Sequence, residues 1–256
     1  MTASQNTAQG STDSLHTHYL DGIATFTISR PECRNALDPA TYGALSEALK
    51  TADARPDIHA IILTGAAGHF TAGNDLRAFQ TAGTGARAGM DFLHTIVAID
   101  TPIIAAVEGS AVGIGVTMLL HCDFVFIADN AKLRLPFVSL GLCPEGASSL
   151  LLAQVVGTRK ASDWLLSARM FDGAEAAAAG LATASVPAGG ALEHAQRIGA
   201  QLAQLPRDAL RLTKVMQREP MREAISHTLN YESAKFGERL KSPEAQAAFA
   251  KFFNKS

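Results

Sequence analysis

The spacing of apolar and polar residues predicts alternating strands and helices along the first two thirds of the chain. Residues 22–29 alternate and are rich in β-branched side chains, a pattern typical of a strand with one buried face. Residues 58–64 form a continuous apolar run ended by Gly65, which indicates a strand covered on both faces. Between these strands, Asp38 and Pro39 mark the start of a helix that should run to about residue 54.

The same alternation continues further along the chain. Helices are predicted over 87–100 and 113–121, and strands over 103–107 and 124–128. From residue 147 onward the pattern is mainly helical, with one strand-like piece at 181–186. Strands that alternate with helices indicate an α/β core.

We divide the chain into three predicted segments. Residues 1–14 are polar and lack the charged and apolar regions of a secretory signal, so we expect a flexible tail there. Residues 15–190 should form the core, and residues 191–256 an appended helical region.

Composition narrows the classes of function. The 256 residues carry 22 basic and 24 acidic side chains, so a net charge of −2 offers no general attraction to nucleic acid or to an anionic membrane. No apolar run approaches the roughly 20 residues that span a bilayer. The three cysteines are far apart and indicate no disulfide framework, and the eight histidines show no metal-binding spacing. We therefore predict a cytoplasmic protein without a metal.

Two glycine-rich stretches follow predicted strands, HFTAGNDL at 69–76 and VEGSAVGIGVT at 107–117. Glycine at a turn from strand to helix lets a backbone N–H approach a ligand closely, and the helix end favours negative charge. Two such N–H groups that converge form an oxyanion hole. The glycine spacings match neither the dinucleotide-binding fingerprint nor the phosphate-binding P-loop.

A third stretch, LGLCPEGASS at 140–149, places a single acid between Pro144 and Gly146. Apolar residues precede and follow it. From this pattern alone, Glu145 is either a solvated residue of a turn or an acid placed in a dry site.

Three motifs occur in a characteristic order: RPECRNAL at 30–37, FTAGNDL at 70–76, and GSAVGIGVT at 109–117 with Cys122 and Asp123 after it. Together they resemble the crotonase (enoyl-CoA hydratase/isomerase) superfamily from about Tyr19 to the C-terminus. The resemblance implies an α/β spiral of ββα units with a C-terminal helical trimerisation region. It also implies an acyl-CoA thioester substrate without a separate cofactor, and a homotrimer or hexamer. From the charge balance and the lack of a long apolar run we expect neither nucleic-acid nor membrane partners.

The resemblance also implies roles for particular residues. The backbone N–H groups of Asn74 and Ile114 would hold the thioester oxygen, and no role is expected for the side chain of Asn74. Phe252 and Lys255 are candidates for contact with a neighbouring subunit's CoA. The residues implied to contact CoA or the acyl group are Arg34, Ala36, Ala72, Gly73, Asp75, Leu76, Gly113 and Phe137, with the carbonyls of Arg34 and Ala36 or Ala72 as partners for adenine and pantetheine.

The two glutamates that hydratases of this family use are absent here, because their positions correspond to Thr117 and Phe137. The acid appears instead as Glu145, which resembles the Δ3,Δ2-enoyl-CoA isomerase branch. Related isomerases that act on ring or oxepin thioesters place an aspartate at this position. The implied reaction moves a double bond from C3–C4 to C2–C3, with Glu145 as the single proton shuttle.

Other interpretations stay open at this stage. They are hydration or hydrolysis of a thioester, and a non-catalytic acyl-CoA-binding or RNA-binding member of the fold. Four further polar residues are expected to be structural: Asp75 as the cap of a helix beginning at Leu76 or as a residue that helps to hold the loop, Glu108 as a structural or subunit-contact residue, His121 in the core or an interface, and Asp123 at a turn from helix to strand.

Overall fold

The computed structural model describes residues 8–79 and 84–254 and contains a large and a small β-sheet. The large sheet consists, in spatial order, of β1 (Ala8–Thr12), β2 (Leu15–Leu20), β3 (Ile23–Ile28), β4 (Ala60–Gly65), β5 (Ile103–Val107), β7 (Phe124–Ala128) and β10 (Ala184–Val186). The small sheet consists of β6 (Ser110–Val112), β8 (Lys132–Arg134) and β9 (Met170–Asp172). Strands β1 to β3 pair antiparallel, whereas β3, β4, β5, β7 and β10 run parallel.

The central strands of the large sheet are buried on both faces, as the apolar runs predicted. Alternate residues point to opposite sides, so Ile61 and Ile103 enter one hydrophobic core while Ile62 and Ile104 enter another. The first core lies under α1 (Pro39–Ala54) and α2 (Thr84–Ala98).

The second core lies under α7 (Ala191–Ala203), whose residues Ala191 and Ala195 are fully buried in it. The first helix beyond the predicted boundary at residue 190 thus supplies the apolar cover of one sheet face. The division of the chain at that residue stays a prediction.

The chain steps repeatedly from the large sheet to the small one. Strand β5 is followed at once by β6, and β7 by β8, while after β4 the single residue Thr71 bridges to Ala111 of β6. Each of these turns thus contributes a strand of the large sheet and either a strand or a single bridging residue beside the small sheet, and the connecting loops of successive turns lie side by side. This spiral brings segments that are distant in sequence to one edge of the small sheet.

Several predicted boundaries change in the structure. Residues 8–12, assigned to the flexible tail, form β1, which pairs through its backbone with β2 and so needs no apolar alternation of its own. The helix predicted over 113–121 consists of α3 (Ile114–Thr117) and a 3₁₀ turn, Met118–His121. The strands predicted over 103–107 and 124–128 are confirmed.

The remaining helices are α4 (Ser148–Val156), α5 (Thr158–Ser167), α6 (Gly173–Ala178), α8 (Arg207–Arg218), α9 (Arg222–Leu240) and α10 (Pro243–Phe253). Helix α9 packs against α2 and α4, and α10 packs against α9. Over the described residues, no helix combines the length and apolar character needed to cross a membrane. In the same residues, no group of three or more His, Cys, Asp or Glu side chains is arranged to hold a metal ion.

Candidate active site

The two glycine-rich loops touch each other at the edge of the small sheet. Gly73 has a φ of 87°, and a Cβ atom added to it would lie 2.4 Å from the carbonyl oxygen of Val112. Any other residue at this position would push the loops apart and adopt a left-handed backbone that side chains disfavour. The loop that carries Asn74 therefore lies directly beside the backbone segment that leads into Ile114.

Both predicted oxyanion donors are left available by the local hydrogen bonding. Leu37 bonds to the peptides on either side of Asn74, through the carbonyl oxygen of Gly73 at 2.8 Å and the N–H of Asp75 at 2.9 Å. In this parallel bridge the N–H of Asn74 faces the other way. Ile114 is the first residue of α3, where no intrahelical acceptor exists for its N–H. Within the described part of the chain, neither N–H group has a hydrogen-bond acceptor.

The side chain of Asn74 has a structural contact that the sequence analysis did not expect. The hydroxyl group of Tyr42, on α1, donates a hydrogen bond of 2.5 Å to its Oδ1 atom. Tyr42 is fully buried, and burial raises the pKa of its phenol well above the ordinary value, so the hydroxyl stays a donor. This bond ties the loop of Asn74 to the helix beneath it.

The predicted CoA-binding loop is held together by Arg30. Its guanidinium donates to the carbonyl oxygen of Ala36 at 2.5 Å and forms an ion pair of 3.3 Å with Asp75. Asp75 also accepts a hydrogen bond from the N–H of Arg77 at 3.2 Å, so it caps the 3₁₀ turn Leu76–Phe79 where the sequence predicted a helix start. The carboxylate of Asp75 and the carbonyl oxygen of Ala36 thus both make contacts that stabilise the loop.

The exposed side chain of Arg34 stands beside this loop, and its carbonyl oxygen accepts a hydrogen bond from the N–H of Ala72 at 2.9 Å. The predicted CoA contacts of these residues stay predictions. What the structure does is to join the loop of Arg34 and Ala36 to the loop of Ala72, Gly73, Asp75 and Leu76 by hydrogen bonds and an ion pair.

Glu145 lies in a dry environment, and its side chain touches α3. The residue is only 5% exposed, and the Oγ1 atom of Thr117 donates a hydrogen bond of 2.6 Å to its Oε1 atom. Burial raises the pKa of the Glu145 carboxyl to about 8; the bond from Thr117 opposes this rise, and the carboxylate of Glu232 adds to it. The sequence left open whether Glu145 is a solvated residue of a turn or an acid placed in a dry site. The burial of its side chain contradicts the first interpretation.

The backbone around Glu145 is held by hydrogen bonds. Ser148 donates to the Glu145 carbonyl oxygen from its hydroxyl at 2.6 Å and from its N–H at 3.2 Å. His121 is buried, as predicted, and its Nε2 atom lies 2.8 Å from the carbonyl oxygen of Gly146. Glu232 of α9 contacts the next residues, Ala147 and Ser149. No sequence motif distinguishes Glu232. What distinguishes it is that its own ionisable carboxyl group is buried, which the folded structure shows.

Phe137 and Gly113, both predicted to contact the acyl-CoA, have structural surroundings in the fold. Phe137, at the position of the second hydratase glutamate, is buried in the main apolar core, so no carboxylate faces the site from there. The N–H of Gly113 donates to the carbonyl oxygen of Arg134 at 2.9 Å and ties the start of α3 to β8.

Glu108 and Asp123 lie outside this group and have structural contacts, as predicted. The carboxylate of Glu108 accepts hydrogen bonds of 3.0 Å from the N–H groups of Gly189 and Ala191 at the start of α7. The carboxylate of Asp123 accepts a bond of 2.7 Å from the N–H of Ile103. Phe252 is partly exposed on α10, and Lys255 lies outside the described residues.

Sequence and fold comparisons agree on the relationship that these loops suggest. The sequence model of the family described as enoyl-CoA hydratase/isomerase matches residues 19–256. The chain belongs to the enoyl-CoA hydratase/isomerase family. The predicted superfamily and its α/β crotonase-like fold are thereby confirmed, and the chain is an enzyme of this family.

Relatives within the family carry both names. A probable enoyl-CoA hydratase of Mycobacterium tuberculosis is 32% identical over 236 residues, covering 91% of this chain and 92% of that protein. Enoyl-CoA delta isomerase 2 of Homo sapiens is 33% identical over 221 residues, covering 83% of this chain and 56% of that protein. The crystal structure of an enoyl-CoA hydratase/isomerase from Pseudoalteromonas atlantica superposes with a TM-score of 0.89 at 37% identity, covering 94% of this chain and 97% of that one.

Proposed function

We propose that this enzyme is an enoyl-CoA isomerase that moves a double bond from C3–C4 to C2–C3 of an acyl-CoA thioester, with Glu145 as its single proton carrier. The observation that carries the proposal is the buried Glu145 carboxyl, held by the hydroxyl of Thr117 where a hydratase would have a glutamate. The trimer or hexamer and the cytoplasmic location stay predictions.

The reaction needs one base that reaches two carbons. Glu145 would remove a proton from C2, and the electron pair of that C–H bond would move into the thioester, which becomes a dienolate. The N–H groups of Asn74 and Ile114 would stabilise the negative charge on the thioester oxygen. Glu145 would then return the proton to C4, the C2–C3 double bond would form, and the carbonyl would be restored.

The environment of Glu145 suits both halves of this cycle. One of its oxygens, Oε1, is bonded to Thr117, which leaves Oε2 for the proton. A pKa of about 8 lies close to neutral pH, where general acid–base catalysis is most effective, because the group can give up and regain a proton with little cost. A dry site also keeps water away from the dienolate.

Hydration is the second candidate, because several relatives, including the mycobacterial protein, are named hydratases. Addition of water requires a base that activates the water and an acid that protonates the α-carbon. Thr117 and Phe137 occupy the positions of the two hydratase glutamates, and neither side chain can exchange a proton near neutral pH. The residues present thus favour isomerisation.

The test follows the absorbance of the conjugated thioester with a 3-enoyl-CoA as substrate. We expect the band to grow with the native enzyme, and Glu145→Gln to lower kcat by roughly 10²–10⁴-fold. Glu238→Gln is the matched control, because its side chain lies exposed on α9 beside Lys235 and should leave the rate unchanged.

A second assay offers a 2-enoyl-CoA and follows loss of the same band as water adds. Hydration faster than isomerisation would contradict the proposal, as would a Glu145→Gln enzyme that keeps its isomerase rate within about tenfold of the native rate.

A further inference from the structure

Glu232 directs both of its carboxylate oxygens at the loop that carries Glu145. It is only 4% exposed; its Oε2 atom accepts a hydrogen bond of 2.7 Å from the N–H of Ala147, and its Oε1 atom accepts bonds from the N–H of Ser149 at 2.9 Å and from the Ser149 hydroxyl at 2.5 Å. The residue before α4 is Ala147, which has no side chain able to cap the helix. A carboxylate from a different helix, α9, therefore supplies the cap.

The backbone that Glu232 holds is an unusual one. Gly146 has a φ of 72°, and Ala147, with a φ of 56° and a ψ of 20°, is in the left-handed region although it carries a side chain. Side chains disfavour this region, so such a conformation persists only where its surroundings impose it. Ala147 is fully buried and lies two residues after Glu145.

His121 holds the same peptide group from its other end. Its Nε2 atom lies 2.8 Å from the carbonyl oxygen of Gly146, and that carbonyl belongs to the peptide whose N–H is bonded to Glu232. Burial lowers the pKa of His121 to about 4, so the ring is neutral at physiological pH and carries its proton on Nε2, because a carbonyl oxygen can only accept. The Gly146–Ala147 peptide is thus clamped between a donor and an acceptor.

We propose that Glu232 is a positioning residue that, with His121, fixes the Gly146–Ala147 peptide and thereby the direction in which Glu145 presents its free oxygen. This inference rests on the proposed function of Glu145 as the proton carrier. Thr117 holds the side chain of Glu145, and the peptide clamp holds the backbone behind it. Misplacement of a reacting group by about 1 Å can lower a rate 10²-fold, so this support bears directly on turnover.

Glu232 also acts on Glu145 through its charge. The titratable groups that face Glu145 are Glu232 from α9, Tyr42 from α1 and Cys143 from the same loop. Burial is the main cause of the raised pKa of Glu145, and the negative charge of Glu232 is the further contribution in the same direction. A helix cap without influence on the site would leave the titration of Glu145 unchanged, so a shift shows that Glu232 acts on Glu145 and not only on α4.

The first test is the Glu232→Gln enzyme, in which one acceptor oxygen and the charge are lost. We expect kcat to fall by about 10–100-fold while KM changes by less than about threefold, since the substrate contacts are untouched. The acid limb of the kcat profile should move to lower pH. Glu238→Gln, on the exposed side of the same helix, is the control and should match the native enzyme.

A second variant distinguishes an effect of backbone strain at Ala147 from a general loss of folding. Ala147→Gly introduces the residue that adopts a positive φ without penalty. The double variant Glu232→Gln/Ala147→Gly should have a kcat at least about threefold higher than that of Glu232→Gln alone. If Glu232→Gln folds poorly, the added glycine should also improve its folding. The pH profile of the double variant should keep its shift, because the charge is still absent. A Glu232→Gln enzyme with native kcat and native pH profile would overturn the proposal, as would a double variant without any recovery.

An infrared titration without substrate distinguishes failure of this inference from failure of the proposed function. The carboxyl band of Glu145 is isolated as the difference between each protein and its Glu145→Gln counterpart. If the native enzyme does not isomerise but Glu232→Gln lowers the midpoint of this band, the proposed function fails and the influence of Glu232 on Glu145 stands. If the native enzyme isomerises and the midpoint and kcat are unchanged in Glu232→Gln, only the positioning role fails.

Discussion

The hydroxyl of Thr117 donates a hydrogen bond of 2.6 Å to Oε1 of Glu145, across the interface between α3 and the loop before α4. At the position where a hydratase keeps a glutamate, this chain has a hydroxyl that orients the buried carboxyl group of Glu145. A second carboxylate at that position would lie against Glu145 in a dry site, and repulsion would prevent both groups from ionising together. The pair therefore suits a single proton carrier.

Replacement of Thr117 tests this relationship. Thr117→Val keeps the shape of the side chain but removes the donor, so kcat should fall by roughly tenfold and the apparent pKa of Glu145 should rise, because the bond favours the charged form. The measurement is a pH profile of kcat for the native enzyme, Thr117→Val and Thr117→Ser. The serine enzyme retains the hydroxyl and should keep most of the native rate; equal losses in both variants would assign the effect to packing.

The activity should increase with pH through the neutral range. The carboxyl of Glu145 has a pKa of about 8, and only its ionised form can remove the α-proton. We therefore expect kcat/KM to rise about tenfold per pH unit below that value and to level off above it. A profile that is flat between pH 6 and 9, measured with a substrate whose chemical step limits the rate, would contradict an essential base with this pKa.

Glu145 should make the folded protein less stable as the pH rises. Its pKa is about 8 when folded, against an ordinary value of 4.5, so the folded state holds the proton more tightly. The destabilisation is absent below about pH 4.5, grows between the two values, and is complete above about pH 8. At pH 8.5, Glu145→Gln should increase the free energy of unfolding by about 1–3 kcal/mol. Denaturant titrations at pH 5 and pH 8.5 check this, and the gain should nearly vanish at the lower pH.

The bond between Tyr42 and Asn74 should matter for the oxyanion loop. Tyr42→Phe removes the hydroxyl and leaves the Oδ1 atom of Asn74 without this donor, which should cost about 1–2 kcal/mol of stability. We expect a loss of kcat of about three- to tenfold, since the N–H of Asn74 is less firmly placed. Thermal unfolding and kinetics of Tyr42→Phe provide the check, with Tyr231→Phe, an exposed tyrosine of α9, as control.

Much of the architecture follows from local pattern. The continuous apolar runs at β4 and β5 require cover on both sheet faces, and the structure provides it with α1 and α2 on one side and α7 on the other. The strand β1 could not be predicted in this way, because its residues are mostly polar and it pairs with β2 through the backbone. The loops around Asn74 and Ile114 could also be predicted from the sequence, because glycine at fixed positions indicates where one backbone segment must approach another closely.

The sequence by itself determined the family, the succession of strands and helices, and the absence of carboxylates at positions 117 and 137. Only the tertiary structure decided that Glu145 is dry, that Thr117 bonds to it, and that His121 and Glu232 clamp the peptide behind it. Such contacts join segments far apart along the chain, and no local periodicity encodes them. Burial, and with it the pKa of an acid, is a property of the packed fold, because it depends on which segments exclude water together.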